Sequence, residues 1–133
     1  MSQALMLDTN AVSALVKGRA AGLAARLVGT PFCISVVTEA EIRYRLARRP
    51  VNIDLRALVE ALLATVDVRP WTTESARRYG PLRAELDAVG RPLAPLDLLI
   101  AAHALAEGCT LVTADRAFAQ VPGLVVEDLA SDA

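Results

Sequence analysis

At 133 residues the chain has the length of one compact domain, and 54% hydrophobic residues exclude a disordered polymer. Ala and Leu supply about a third of all positions, which favours helix. Fourteen basic against fifteen acidic residues, with Lys17 the sole lysine, exclude a polybasic nucleic-acid coat, and five scattered aromatics exclude a base-stacking platform.

In chain order, short apolar runs at residues 4–7, 32–35, 66–69, 110–113 and 124–127 read as strands buried on both faces. Helical patterns lie between them, at 10–16, 20–28, 37–47, 53–64, 73–89 and 95–106. The 53–64 segment carries Leu55, Leu58, Val59, Leu62 and Leu63 on a 3.6-residue stripe. Gly90 suits the C′ position after the 73–89 helix; Pro95 suits the first turn of the last helix, and Gly108 its end. The alternation predicts a three-layer α/β/α domain over residues 1–133, with a mostly parallel sheet of about five short strands flanked by helices.

The N-terminus has no basic n-region and reaches Asp8 too early for a signal peptide, and the longest apolar run, 93–106, is interrupted by Asp97 and His103. A cytoplasmic protein with no membrane contact is expected. Cys33 and Cys109, 76 residues apart in apolar runs, form no CxxC motif and read as buried free thiols.

In a parallel α/β sheet chemistry gathers at the carboxyl ends of the strands. The residues there are acidic. Asp8-Thr9-Asn10 follows the first strand, Thr38-Glu39-Ala40-Glu41 the second, and Ala114-Asp115-Arg116 the fourth; Asp97 sits two residues into the Pro95 helix. Taken singly, Asp8 and Asp115 also read as helix N-caps, and Asp97 and Glu41 as complements to helix dipoles. Taken together they demand more. Two like charges about 4 Å apart repel by about 4 kcal/mol at an effective dielectric near 20. Four in one pocket require a cation or strongly raised pKa values. With oxygen ligands alone, the fitting ion is Mg²⁺ or Mn²⁺, not zinc. An all-carboxylate site without His, Cys or Lys points to phosphodiester hydrolysis by metal-activated water.

These residues resemble a known family. Leu7-Asp8-Thr9-Asn10, the run from Ile34 to Tyr44, the run from Gly90 to Ala104, and Leu111-Val112-Thr113-Ala114-Asp115 with Phe118 and Val121-Pro122-Gly123-Leu124 are similar, in order and spacing, to the motifs of PIN-domain proteins. Within that group the chain is most similar to the VapC-type toxins of bacterial toxin–antitoxin pairs. The resemblance implies a Mg²⁺- or Mn²⁺-dependent endoribonuclease with Asp8, Glu41, Asp97 and Asp115 as its catalytic and metal-binding acids. It selects Glu41 over Glu39, which lie about 200° apart on a helix. It implies that Asn10 and Thr113 orient the acids. It also implies a homodimer, a cognate VapB-type antitoxin whose C-terminal segment lies across the site groove, and DNA contact only through that antitoxin.

One position departs from the family pattern. Four residues after the glutamate, where a small residue is common, this chain has Arg45. Two readings compete: a contact to substrate phosphate, or an i,i+4 ion pair with Glu41 worth about 0.5 kcal/mol, the simpler of the two. Arg43, Arg45, Arg48 and Arg49 form the candidate RNA-contact patch. His103 lies about 240° round its helix from Asp97 and reads as packed or surface-exposed. Trp71, after Pro70, reads as an anchor for the core or an interface.

Other classes fit poorly. A receiver domain needs paired acids after its first strand and a late lysine; a haloacid-dehalogenase-type phosphatase needs Asp-x-Asp; GxGxxG and P-loop motifs are absent. The remaining alternative is a catalytically inactive PIN-like module that binds RNA or protein without cutting.

Overall fold

The computed structural model describes residues 4–48, 50 and 52–129. Five strands, β1 (Leu5–Leu7), β2 (Phe32–Ser35), β3 (Asp67–Arg69), β4 (Thr110–Thr113) and β5 (Val126–Asp128), form one parallel sheet in the order β3-β2-β1-β4-β5. Six α-helices connect them: α1 (Thr9–Val16), α2 (Ala21–Leu27), α3 (Val36–Arg48), α4 (Ile53–Thr65), α5 (Thr73–Ala88) and α6 (Pro95–Glu107). The expected α/β/α architecture is therefore the one observed.

The strand side chains show why both faces must be covered. In β1, Leu5 and Leu7 join one apolar cluster and Met6 the other, and all three are buried. The first cluster adds Ile34 and Val112 from the neighbouring strands and Val12, Leu23, Ile42 and Val59 from the first four helices. The second adds Cys33 and Leu111, then Leu82, Leu86, Leu98 and Ile100 from α5 and α6. Each fully buried Leu or Ile contributes about 1.5–3 kcal/mol, so the two layers together hold the short strands in place. Among the described residues no helix is long and apolar enough to cross a membrane.

Two glycines close helices as the sequence predicts. Gly90 (φ +68°) follows α5 and Gly108 (φ +66°) caps α6, each in the left-handed region, and Cys109 N–H bonds back to the Ala104 carbonyl at 3.0 Å. Two differences from the expected elements stand out. The last strand begins at Val126, not 124, because Gly123 (φ +80°) turns the chain and Leu124 N–H bonds to Val121 in that turn. Arg116–Gln120, which the sequence pattern assigns to no element, forms a 3₁₀ helix capped by Asp115.

Candidate active site

In this strand order β1 lies between β2 and β4, so the crossovers leave it in opposite directions and a crevice opens at the carboxyl ends of β1 and β4. Asp8 follows β1 directly. It caps α1, one carboxylate oxygen accepting from Ala11 N–H at 2.8 Å, and the other accepts from the Thr113 hydroxyl at 2.5 Å. Thr113 can reach because it ends β4, whose Val112 lies opposite Leu7 in the parallel register. The same hydroxyl oxygen accepts from Asp115 N–H at 3.0 Å, tying the second acid to the first. Asp115 in turn caps the 3₁₀ helix through Ala117 N–H at 2.9 Å. Capping and site placement are thus the same geometry for both residues.

Glu41 comes from α3, the helix that β2 feeds, and Asp97 from the first turn of α6. A hydroxyl fixes Glu41 as well: Thr9 Oγ1 donates to its Oε1 at 3.0 Å. Asp8, Asn10, Glu41, Asp97 and Asp115 line one open cavity of about 410 Å³, with Arg45 the only basic residue in its lining. Thr113 lies beneath it, buried against Asp8.

No salt bridge among the described residues reaches any of the four acids. The proton affinities of Asp97 and Asp8 carry that imbalance. Asp97 is pushed up to about 6, first by burial and then by the charges of Asp115, Glu41 and Asp8. Asp8 is also raised by burial, against the opposing hydrogen bonds from Thr113 and Ala11. The donor set is all oxygen and its negative charge is uncompensated, which fits a hard divalent cation in type and charge. Among the described residues no three such side chains stand close enough to close on one ion as they are. The fit is therefore one of donor chemistry, with the acids spread around the cavity.

The arginines divide. Arg43 turns to Glu39 at 2.7 Å and lies 3.9 Å from Glu60, away from the cavity. Arg48 covers the Tyr44 ring at 5.5 Å. Arg49 falls outside the described residues. Arg45 does not form the expected ion pair with Glu41, whose carboxylate is taken by Thr9. Thr9 is the site residue that sequence reading missed. Its signal was present, a hydroxyl next to Asp8 at the start of a helix, but the partner is 32 residues away. Asn10 lines the cavity without a hydrogen bond to any of the acids among the described residues. His103 is fully buried, its Nδ1 2.7 Å from Ser35 Oγ, and Trp71 Nε1 donates to the Leu99 carbonyl at 3.1 Å.

A second cavity, about 340 Å³, adjoins the first and shares Thr9 and Arg45 with it. Its walls are mostly apolar: Val12 and Val16 from α1, Ile42 and Leu46 from α3, Leu55 and Val59 from α4.

This architecture has counterparts in known proteins. The PIN domain family model matches residues 5–124. The chain is 36% identical to the tRNA(fMet)-specific endonuclease VapC of Shigella flexneri over 92% of its own length and 96% of that protein's. It superposes on a chain of the DNA-bound VapBC structure from Salmonella typhimurium with a TM-score of 0.86 at 31% identity, covering 96% of this chain and 99% of that one. For VapBC2 of Rickettsia felis, bound to a promoter DNA fragment, the TM-score is 0.83 at 27% identity, covering 93% and 97%. The chain belongs to the PIN-domain family and, within it, to the VapC group.

Proposed function

We propose that this protein is a Mg²⁺- or Mn²⁺-dependent endoribonuclease, the toxin of a VapBC-type pair, cutting RNA phosphodiester bonds in the cavity lined by Asp8, Glu41, Asp97 and Asp115. The observation that carries the reading is the cavity's charge. Four carboxylates from four separate elements share one space and form no salt bridge among the described residues, an arrangement that costs folding stability and that a cation would offset. When bound, a divalent ion would supply a water of lowered pKa and neutralise charge developing on the phosphate oxygens. The chain's own contribution is positional. Thr113 and Ala11 N–H fix the two oxygens of Asp8, Thr9 fixes Glu41, and the capped turn fixes Asp115. Hydroxyl donors orient the acids without neutralising them, so their charge stays available.

The apolar cavity beside the acids supports the partner reading. A segment of a VapB-type antitoxin seated between α1, α3 and α4 would cover apolar surface and reach the acidic cavity through their shared wall. DNA contact would then belong to the antitoxin, and a homodimer completes the assembly by analogy with the family.

The test is direct. Antitoxin-free protein, incubated with a panel of transcripts that includes initiator tRNA, should cut in Mg²⁺ or Mn²⁺ and stop in excess chelator. Binding of RNA in the metal with no cleavage across the panel would replace this reading with that of a non-cutting RNA-binding module.

A further inference from the structure

Of the four arginines beside Glu41, three are set apart. Arg43 is engaged by Glu39 and Glu60, Arg48 lies over Tyr44, and Arg49 is outside the described residues. Arg45 differs in three independent ways. It is exposed and has no hydrogen bond, ion pair or ring contact among the described residues. Its nearest natural partner along the helix, Glu41, is held by Thr9. And it stands in the wall shared by the acidic cavity and the apolar one, the only basic residue lining the former.

An RNA strand approaching this site meets four negative groups, and only the phosphate being cut would be covered by a cation there. The flanking phosphates need their own positive contact. An uncommitted guanidinium offers five donors in a planar fork suited to phosphate oxygens. Its place in the wall that the acidic cavity shares with the apolar one sets it at the edge of the acidic cavity, where a flanking phosphate would pass. We propose that Arg45 is a substrate-positioning residue that grips a phosphate neighbouring the scissile one, a contact that relatives with a small residue at this position would lack. The proposal rests on the nuclease reading.

Its test compares wild type with Arg45→Gly and Arg45→Lys in Mg²⁺, using single-stranded oligoribonucleotides of several sequences. Arg45→Gly should raise KM about tenfold for every sequence, with kcat unchanged, as expected for loss of one charge-assisted bond. The slope of log(kcat/KM) against log[salt] should flatten by about 0.7, the value of one phosphate contact on a single strand. Arg45→Lys should restore the slope and only part of the affinity. The melting temperature should hold for Arg45→Lys and fall by a few degrees for Arg45→Gly, because a glycine inside α3 costs about 1 kcal/mol of helix propensity. Unchanged KM and slope would overturn the proposal, as would a fall in kcat alone or a changed sequence preference at constant slope, which marks a base reader. Equilibrium binding of the same oligonucleotides separates the two levels of the argument. Wild type that binds but does not cut loses the nuclease reading, while the salt slope still decides Arg45. Wild type that does neither overturns both.

Discussion

Two polar clusters in this molecule invite comparison, and the one richer in reactive groups is not the candidate site. Around the ends of β3 and α6, Arg69 donates to Asp67 at 3.2 Å, to Glu107 at 3.4 Å and to Cys109 Sγ at 3.4 Å. Cys109 and Cys33 thiols lie 3.8 Å apart, and His103 sits between Ser35 and Glu107, 2.7 and 3.6 Å away. An imidazole, two thiols and a hydroxyl within contact look more like catalytic machinery than four carboxylates do. Yet burial lowers the His103 pKa and keeps the ring neutral, both thiols are buried, and the acids share a guanidinium. That cluster is closed on itself. The acidic cavity is the reverse, with common side chains, hydroxyl supports and no ion pair to its acids among the described residues. What marks a site here is charge that the fold orients and leaves unpaired.

The contrast can be broken first at the carboxylates. Asp97→Asn should cut metal-dependent RNA cleavage by on the order of 10²–10³-fold with the fold retained, whereas Glu107→Gln, a change in the richer cluster, should leave cleavage unchanged. Cleavage rates of the two variants against one transcript decide it; a comparable loss from Glu107→Gln would erase the distinction. Next comes support. Thr113→Val removes the hydroxyl that holds Asp8 and should weaken cleavage or Mg²⁺ affinity about 10–100-fold, read from a metal titration of the rate.

The smallest effects are on stability, and they should have opposite signs in the two clusters. Arg69→Ala strips the closed cluster of its counter-charge and should destabilise by about 1–2 kcal/mol in urea unfolding. Asp97→Asn should stabilise the chelator-treated protein at pH 7. The folded pKa of Asp97, about 6, exceeds its ordinary 3.8, so what this group contributes to stability is full below pH 3.8 and lost as pH rises to 6. The advantage of Asn over Asp at pH 7 should therefore shrink as pH falls through 6 toward 4. An advantage independent of pH would mean that charge repulsion is not its source.

The central strands were readable because each is a short apolar run, and α6 because Pro95 and Gly108 mark its ends; the edge strands β3 and β5 carry Asp67, Arg69, Glu127 and Asp128 and are only partly buried. Topology sends Asp8, Asp115 and the helix bearing Glu39 and Glu41 to one edge of the sheet, Asp97 was visible at the start of the Pro95 helix, and the family resemblance selected Glu41 over Glu39. What stayed hidden was competition between distant partners. Helical spacing places Arg45 next to Glu41, but only the packing of α1 against α3 shows that Thr9 takes the carboxylate first. Local spacing likewise allowed Arg43 to face the site until Glu39 and Glu60 claimed it.

The bond from Thr113 to Asp8 joins residues 105 apart, whereas the one from Thr9 to Glu41 spans 32. β1 begins the sheet at its centre, and β4, which brings Thr113 and Asp115, adds beside it only after all six helices have been made. During synthesis the half-site of Asp8 and Glu41 can form early, but it lacks the hydroxyl that fixes Asp8 and the acid that follows it. A ribosome carrying an unfinished copy is therefore not exposed to a completed acidic cavity, since the four acids come together only once residue 115 has emerged. Fragments ending before β4 should be inert for the same reason, since they lack the strand on which half the site is built.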